Sequence, residues 1–195
     1  MGMHTLTPVP PSFYDSEDVV ALAKGLLGKI LVTDFGSLTG GRIIETEAYA
    51  GIQDRASHAY GERRTKRNEQ LYGKPGTAYV YLCMGIYPLL NAVTAKEGIP
   101  HGVLIRAIEV LYGHEVIVKR RQKPEFTHSI CGGPGALTIA LGINCTHNGL
   151  PLDTPPIMIC EGGQEISEER IVASPRIGVA YAQEDALLPY RFRLL

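Results

Sequence analysis

The stretch Arg42-Ile-Ile-Glu-Thr-Glu-Ala-Tyr-Ala50 decides how this chain is read. Its branched and aromatic residues, interleaved with polar ones, predict a β-strand. Side chains alternate across a strand, so Glu45, Glu47 and Tyr49 share one face. The rise per residue puts the two carboxylate-bearing Cα atoms about 6.5–7 Å apart. An anionic pair beside an aromatic ring can act as a general-base site, and it can equally be the wetted face of a strand. The segment alone does not choose between these, nor between the two carboxylates.

Working outward, further strand-like runs occur at 29–35, 77–82, 102–110, 156–160 and 190–195. The stretch 36–41, with glycines at both ends, suggests a hairpin into the 42–50 strand. A helix is predicted from Val19 to Leu27, where Val19, Val20, Leu22, Ala23, Leu26 and Leu27 form an apolar stripe. Asp15 or Ser16 can cap it and Gly28 suits its stop. Residues 111–122 suggest a short helix ending in basic residues, and Gly133-Pro134 opens another to about Leu141. The Pro-rich residues 1–14 read as an extended lead-in, and 51–76 as a long polar, basic loop of functional interest. Short strands with few helices, without repeats or a linker, imply one α+β domain over 1–195.

Composition narrows the class. The 195 residues are 45% hydrophobic and 20% charged, with a mean hydropathy of +0.01, which excludes disorder, a coiled coil and collagen. A chain of this length buries about 70% of its unfolded surface. Nineteen Lys and Arg against twenty Asp and Glu give −1, so the protein is not coated in positive charge. The charge is nevertheless polarised. Residues 55–74 hold six basic and two acidic groups, net +4, and Lys119, Arg120, Arg121 and Lys123 add another +4, leaving −9 elsewhere. That pattern suits one face meeting phosphates, and equally two solvated charge runs. Six of the ten tyrosines lie between 42 and 91, offering planar faces with polar tips.

Two polar residues interrupt apolar runs: Asn91 in Pro88-Leu-Leu-Asn-Ala-Val93, and Arg106 in Val103-Leu-Ile-Arg-Ala-Ile108. A buried arginine must meet a carboxylate, a phosphate or a catalytic water. Cys83, Cys131, Cys145 and Cys160 form no CxxC and read as small reduced core residues. The six histidines make no HExxH or deaminase pattern, so no metal is expected. Gly73-Lys-Pro-Gly-Thr77 lacks the spacing of a phosphate loop, and no GxSxG is present. With no basic-then-apolar leader and no apolar run near the roughly 18 residues that span a bilayer, a cytoplasmic protein is expected.

The ordered series Glu45-Thr-Glu-Ala-Tyr49, His58, Thr65-x-Arg67-Asn68, Lys74-Pro-Gly-Thr77, Tyr79-Val-Tyr81, Gly85-x-Tyr87 and Asn91 resembles the alkyladenine (3-methyladenine) DNA glycosylases. Val103-Leu-Ile-Arg106-Ala-x-Glu109, Cys131-x-Gly-Pro134 and Arg176-Ile-Gly-Val179 continue the resemblance, which runs from about Leu22 to Phe192. It implies a strongly curved antiparallel sheet and a monomeric, monofunctional N-glycosylase. Such an enzyme flips a damaged purine from double-stranded DNA and needs no cofactor or metal. The expected substrates are 3-methyladenine and 7-methylguanine, with hypoxanthine and ethenoadenine as further candidates.

By the same resemblance Glu47 is the general base for the attacking water, and Arg106 faces the flipped nucleotide and that water. Tyr49, His58 and Tyr81 enclose the extruded base, and Asn91 crowds the 2-amino group of guanine. Tyr87, Arg63, Arg64, Arg67 and Asn68 fall at the DNA. In animal relatives a tyrosine three residues past the Tyr81 position fills the gap left by flipping. Here that residue is Met84, a flexible apolar wedge. The rival readings are a non-catalytic nucleic-acid-binding module, which needs no Glu47, and a lyase using a lysine such as Lys74.

Overall fold

The computed structural model describes residues 6–163 and 166–195. Strands form at β1 Ile30–Asp34, β2 Leu38–Tyr49, β3 Ala78–Cys83, β4 Tyr87–Thr94, β5 His101–Tyr112, β6 Asp153–Thr154, β7 Ile157–Cys160, β8 Ile171–Ser174 and β9 Arg191–Leu194. Helices are α1 Pro11–Tyr14, α2 Val19–Gly25, α3 His114–Arg120 and α4 Pro134–Leu141. All described strand pairings are antiparallel, in the order β3-β4-β5-β2-β1-β7-β6, with β9 added to β2 and β8 to β9. This is the α+β architecture that the sequence predicts, with the sheet curled into a half-barrel.

The curl originates in β2. Its residues 38–42 pair with β1, whereas 45–47 pair with β9 on the same edge. The switch coincides with register shifts against β5 on either side of Glu45. Such irregularities bend a strand and increase its twist. At its start β2 is pinched between neighbours. A Cβ on Gly40 would sit 2.3 Å from the Leu31 carbonyl oxygen, and one on Gly41 only 1.9 Å from that of Glu109. Only glycine permits this approach.

The alternation read from the 42–50 segment has a direct structural counterpart. Thr46 and Ala48 are fully buried beneath α2, where the Thr46 hydroxyl donates to the Ala23 carbonyl at 2.8 Å. Glu45, Glu47 and Tyr49 therefore face away from α2. The α2 stripe of Val19, Leu22 and Ala23 continues into Leu26 and Leu27, all in the main core with Leu31, Ile43, Ile105 and Ile108. Each large aliphatic side chain buried there stabilises the fold by roughly 1.5–3 kcal/mol. On another flank α4 packs over β4 and β5, capped by Gly142 in the left-handed region at φ +74°.

Several local expectations are corrected. The α2 cap is Asp18, whose carboxylate accepts from the Ala21 amide at 2.9 Å, not Asp15 or Ser16. The hairpin is tighter than 36–41, because β2 begins at Leu38. The lead-in is not extended throughout: residues 1–5 lie outside the described residues, Val9 is buried, and Pro11–Tyr14 makes a helical turn. β5 runs on to Tyr112, so the following helix starts only after Gly113, at φ +76°. The segment read as an interrupted apolar run is β4, with Pro88 paired to Leu82 and Asn91 to Tyr79. Cys131 and Cys160 are core residues with thiols pushed up by burial to about 12 and about 11, but Cys83 is half-buried and Cys145 exposed. All four are free. No described helix is long and apolar enough to cross a membrane.

Replacing Gly41 with alanine forces β2 from β5. We expect Gly41→Ala to lower unfolding stability by about 1–3 kcal/mol, the usual range for overpacking. Urea denaturation checks this, and an unchanged midpoint would contradict the close-approach assignment.

Candidate active site

The register of five strands lays out the site. Tyr79 of β3 pairs with Asn91 of β4, Asn91 with Leu104 of β5, Leu104 with Glu47 of β2, and Glu47 with Arg191 of β9. Directly paired residues point to the same side of a sheet, so these side chains form one row. Above it opens a pocket of about 410 Å³ lined by Glu47, Tyr49, His58, Tyr79, Tyr81, Asn91 and Arg106. Met84, Leu89, Leu104, Ile177 and Tyr181 complete the apolar part of the wall. Seven of the predicted residues, Tyr49, His58, Arg67, Tyr81, Met84, Asn91 and Arg106, thus stand around one cavity with Glu47.

Glu47 is 0% exposed, yet its carboxylate is well supplied with donors. Oε1 accepts from the Ile177 amide at 2.8 Å and lies 3.2 Å from Arg106 Nη1, while Oε2 accepts from the Tyr49 hydroxyl at 2.8 Å. Burial and the neighbouring Glu47 hold the Tyr49 phenol well above its ordinary value, so it remains a donor. Arg106 sits at the β2–β5 irregularity, between Ile105, paired with Thr46, and Ala107, paired with Glu45. Its Nε donates to Glu45 at 2.8 Å, and Arg191 Nη1 approaches the same oxygen at 3.3 Å. The lone arginine therefore meets two carboxylates. Glu45 points toward two arginines, whereas Glu47 lines the cavity.

The opposite wall is aromatic. Tyr79 and Tyr81, two residues apart on β3, stack at 5.3 Å between ring centroids. His58 stands edge-on to Tyr81 at 4.5 Å and shares a 2.9 Å hydrogen bond between Nδ1 and the Tyr79 hydroxyl. Burial lowers the His58 value below 6.5, helped by Arg67 and Arg63, so the imidazole is neutral at physiological pH. Burial pushes the Tyr79 phenol up to about 12 and raises that of Tyr81. Asn91 Nδ2 donates to the Tyr79 carbonyl at 3.1 Å, which fixes its side chain at the cavity.

At the rim, Met84 is 86% exposed and holds φ +52° in the turn between β3 and β4, followed by Gly85 at φ +72°. Ile86 and Tyr87 are exposed beside it, and Tyr87 packs against Gly135 of α4. The basic loop is less uniform than its sequence suggests. Arg63 and Arg67 are exposed, with Arg67 donating to the Leu82 carbonyl at 2.9 Å. Arg64 is exposed but bound by Glu69 at 2.6 Å. Asn68 corrects the expectation of a DNA contact. It is 2% exposed, and its amide bonds Thr65, His58 and Arg63 within the loop. In the second basic cluster Arg120 donates to the Ala140 carbonyl and Arg121 to that of Ile130, leaving Lys119 and Lys123 as its exposed members. Lys74 is exposed and does not line the pocket. No group of three or more His, Cys, Asp or Glu suited to a metal occurs among the described residues.

Sequence reasoning assigned no roles to Ile177, Tyr181 and Arg191. Ile177 contributes a main-chain amide, which no side-chain pattern announces. Arg191 reaches the site only because β9 wraps onto β2.

The lowered His58 value has a consequence for stability. The unfolded chain binds the proton more readily, so the stability associated with neutral His58 is complete above 6.5 and declines as pH falls toward the folded value. An NMR titration is expected to place His58 below 6.5, and Arg67→Ala to raise it. A wild-type value at or above 6.5 would contradict the assignment.

Comparison with known proteins identifies related chains. A family model described as methylpurine-DNA glycosylase matches residues 12–195. A Chlamydia pneumoniae protein is 46% identical over 184 residues, covering 93% of this chain and 92% of its own. One from Clostridium acetobutylicum is 44% identical over 188 residues, covering 92% and 90%. One from Bacillus cereus is 44% identical over 192 residues, covering 94% and 93%. All three carry the name "Putative 3-methyladenine DNA glycosylase". With a match across nearly its whole length and a buried carboxylate at the head of an aromatic pocket, the chain belongs to the methylpurine-DNA glycosylase family.

Proposed function

We propose that this chain is a monofunctional DNA N-glycosylase that excises alkylated purines, 3-methyladenine and 7-methylguanine foremost, with hypoxanthine and ethenoadenine as further substrates. One observation carries the reading: Glu47, wholly buried, keeps both carboxylate oxygens hydrogen-bonded at the edge of a pocket walled by Tyr49, His58 and Tyr81. A binding module would have no use for a carboxylate kept out of water at this cost.

In the proposed reaction Glu47 accepts a proton from water while the water oxygen bonds to C1′ of the extruded nucleotide. The C1′–N bond breaks and its electrons pass to the purine. In 3-methyladenine and 7-methylguanine they neutralise the positive charge that alkylation left on the ring. In hypoxanthine or ethenoadenine the departing base takes a proton from solvent at a ring nitrogen. The products are a free base and an abasic sugar. An anionic Glu47 also stabilises the oxocarbenium character at C1′. Arg106, anchored by Glu45, orients Glu47 and the water. The aromatic faces attract a cationic purine by about 0.5–2 kcal/mol per contact. Flipping costs a few kcal/mol, less for a damaged base, which adds selectivity. Asn91 is assigned the crowding of a guanine 2-amino group, a penalty that 7-methylguanine offsets because its positive charge has already weakened the glycosidic bond.

Met84 would fill the space vacated in the duplex, with Tyr87, Arg63, Arg64 and Arg67 along the strand. Arg64 would reach a phosphate by exchanging Glu69 for it. The partner is double-stranded DNA carrying damaged purines, met by a monomer in the cytoplasm. With no lysine lining the pocket, water rather than an amine is assigned as nucleophile.

Release of methylated purines from alkylated duplex DNA tests the reading. Glu47→Gln is expected to slow single-turnover release by about 10²–10⁴-fold, the usual range for a general base. Glu45→Gln should cost far less, since that carboxylate is turned to Arg106 and Arg191. Equal losses would undo the assignment, and no release by the wild type would favour the binding module. Borohydride should trap no covalent adduct; trapping would instead support a lyase. Separately, Met84→Ala should lower both the flipped fraction, read by ethenoadenine fluorescence, and the single-turnover rate. No change in either would remove Met84 as the wedge.

A further inference from the structure

The Ile177 amide that bonds Glu47 follows directly on Arg176, and Arg176 forms a buried ion pair with Asp54. The two residues are 5% and 3% exposed. We infer that Asp54 and Arg176 are positioning residues that hold the Ile177 amide and the Tyr49 ring against Glu47, setting the rate of the chemical step rather than the affinity for DNA. This inference rests on the glycosylase reading and deepens it.

The bonding pattern joins separate segments of the site at one carboxylate. Asp54 Oδ1 accepts from the Ala56 amide at 2.9 Å and from Arg176 Nη2 at 2.8 Å. Oδ2 accepts from the Ala50 amide at 3.0 Å and from Arg176 Nη1. The same guanidinium donates to the carbonyls of Ala48 at 2.8 Å and Asp185 at 3.2 Å. It also lies over the Tyr49 ring at 4.8 Å and the Tyr190 ring at 5.3 Å.

Each tied segment supplies a group to the pocket. Ala48 and Ala50 flank Tyr49, whose hydroxyl reaches Glu47 Oε2. Ala56 lies two residues before His58. Arg176 immediately precedes Ile177, whose amide reaches Glu47 Oε1. A buried ion pair is a weak device for stability alone, since well-packed apolar residues often replace it without loss. What apolar residues cannot reproduce is the directional bonding that ties the end of β2, the loop after it and the turn at Arg176 to one ion pair. Displacement of a reacting group by about 1 Å can cost about 10²-fold in rate. A carboxylate held from both sides is sensitive to such displacement.

The test uses the full chain and three variants: Asp54→Asn, Arg176→Lys, and the apolar pair Asp54→Leu/Arg176→Met. Active molecules are counted by titration with a duplex containing a tetrahydrofuran abasic analogue, which also gives the affinity. Base release from methylated duplex is then followed under single-turnover conditions. The release constant per titrated site is expected to fall about 10²-fold, while affinity for the abasic duplex changes less than threefold. The apolar pair should fold as the wild type does and still be slow. A wild-type release constant in any folded variant would overturn the inference. So would equal losses of rate and affinity, or loss of folding in all three, which would assign the pair to stability alone. If the wild type itself releases no purine, the glycosylase reading fails instead.

Discussion

A carboxylate shielded from bulk solvent must be surrounded by donors, and the architecture around Glu47 follows from that requirement. Isolated in a low-dielectric interior, such an ion costs several kcal/mol even after the protein relaxes. Three groups from three parts of the chain meet the cost: Tyr49 from the same strand, Arg106 from the neighbouring strand, and the Ile177 amide from a turn more than a hundred residues away. Bringing them together needs the β2–β5 irregularity and a bend that lets β2 exchange β1 for β9. The curl of the sheet and the chemistry of the pocket are thus consequences of one another. A flat sheet would leave Glu47 at a surface.

Much of this is legible in the sequence, for physical reasons that differ from residue to residue. The 42–50 strand and α4 are short-range signals, alternation and a Gly-Pro start, and they survive folding with only small shifts in their ends. Arg106 announces itself because an arginine in an apolar run must be paired. β4 escapes because Pro88 and Asn91 interrupt its pattern, although Pro88 lies near its start and Asn91 faces the cavity. The choice between Glu45 and Glu47 also escapes: strand alternation gives both the same face, and only the bulge and the arrival of β9 distinguish their partners. Asp54 reads as one acid in a polar loop, and its burial depends on Arg176, 122 positions later.

The charge balance has a similar lesson. Basic clusters in the sequence overstate the free positive surface, because Arg64 is bound by Glu69 and Arg120 and Arg121 serve main-chain carbonyls. Of the cations left exposed, Arg63 and Arg67 lie beside the pocket, and Lys119 and Lys123 belong to the second cluster. Arg63 and Arg67 act at short range as well, since both contribute to keeping His58 uncharged.

Strand β3 carries Tyr79 and Tyr81 in the pocket wall and leads straight into Met84 at the exposed turn, with no hinge between them. It is an edge strand of the sheet, yet its outer side is tied as well: the Ala78 amide donates to the Leu150 carbonyl and its carbonyl accepts from Gly149, Val80 donates to Asn148 Oδ1, and Arg67 holds the Leu82 carbonyl. A push on the tip is therefore transmitted along a stiff rod to the aromatic rings rather than absorbed by a joint. Under the proposed function, the parts that probe the helix and inspect the base are mechanically one body. A lesion would then be examined in a single stroke, its rejection and the withdrawal of the tip being the same movement.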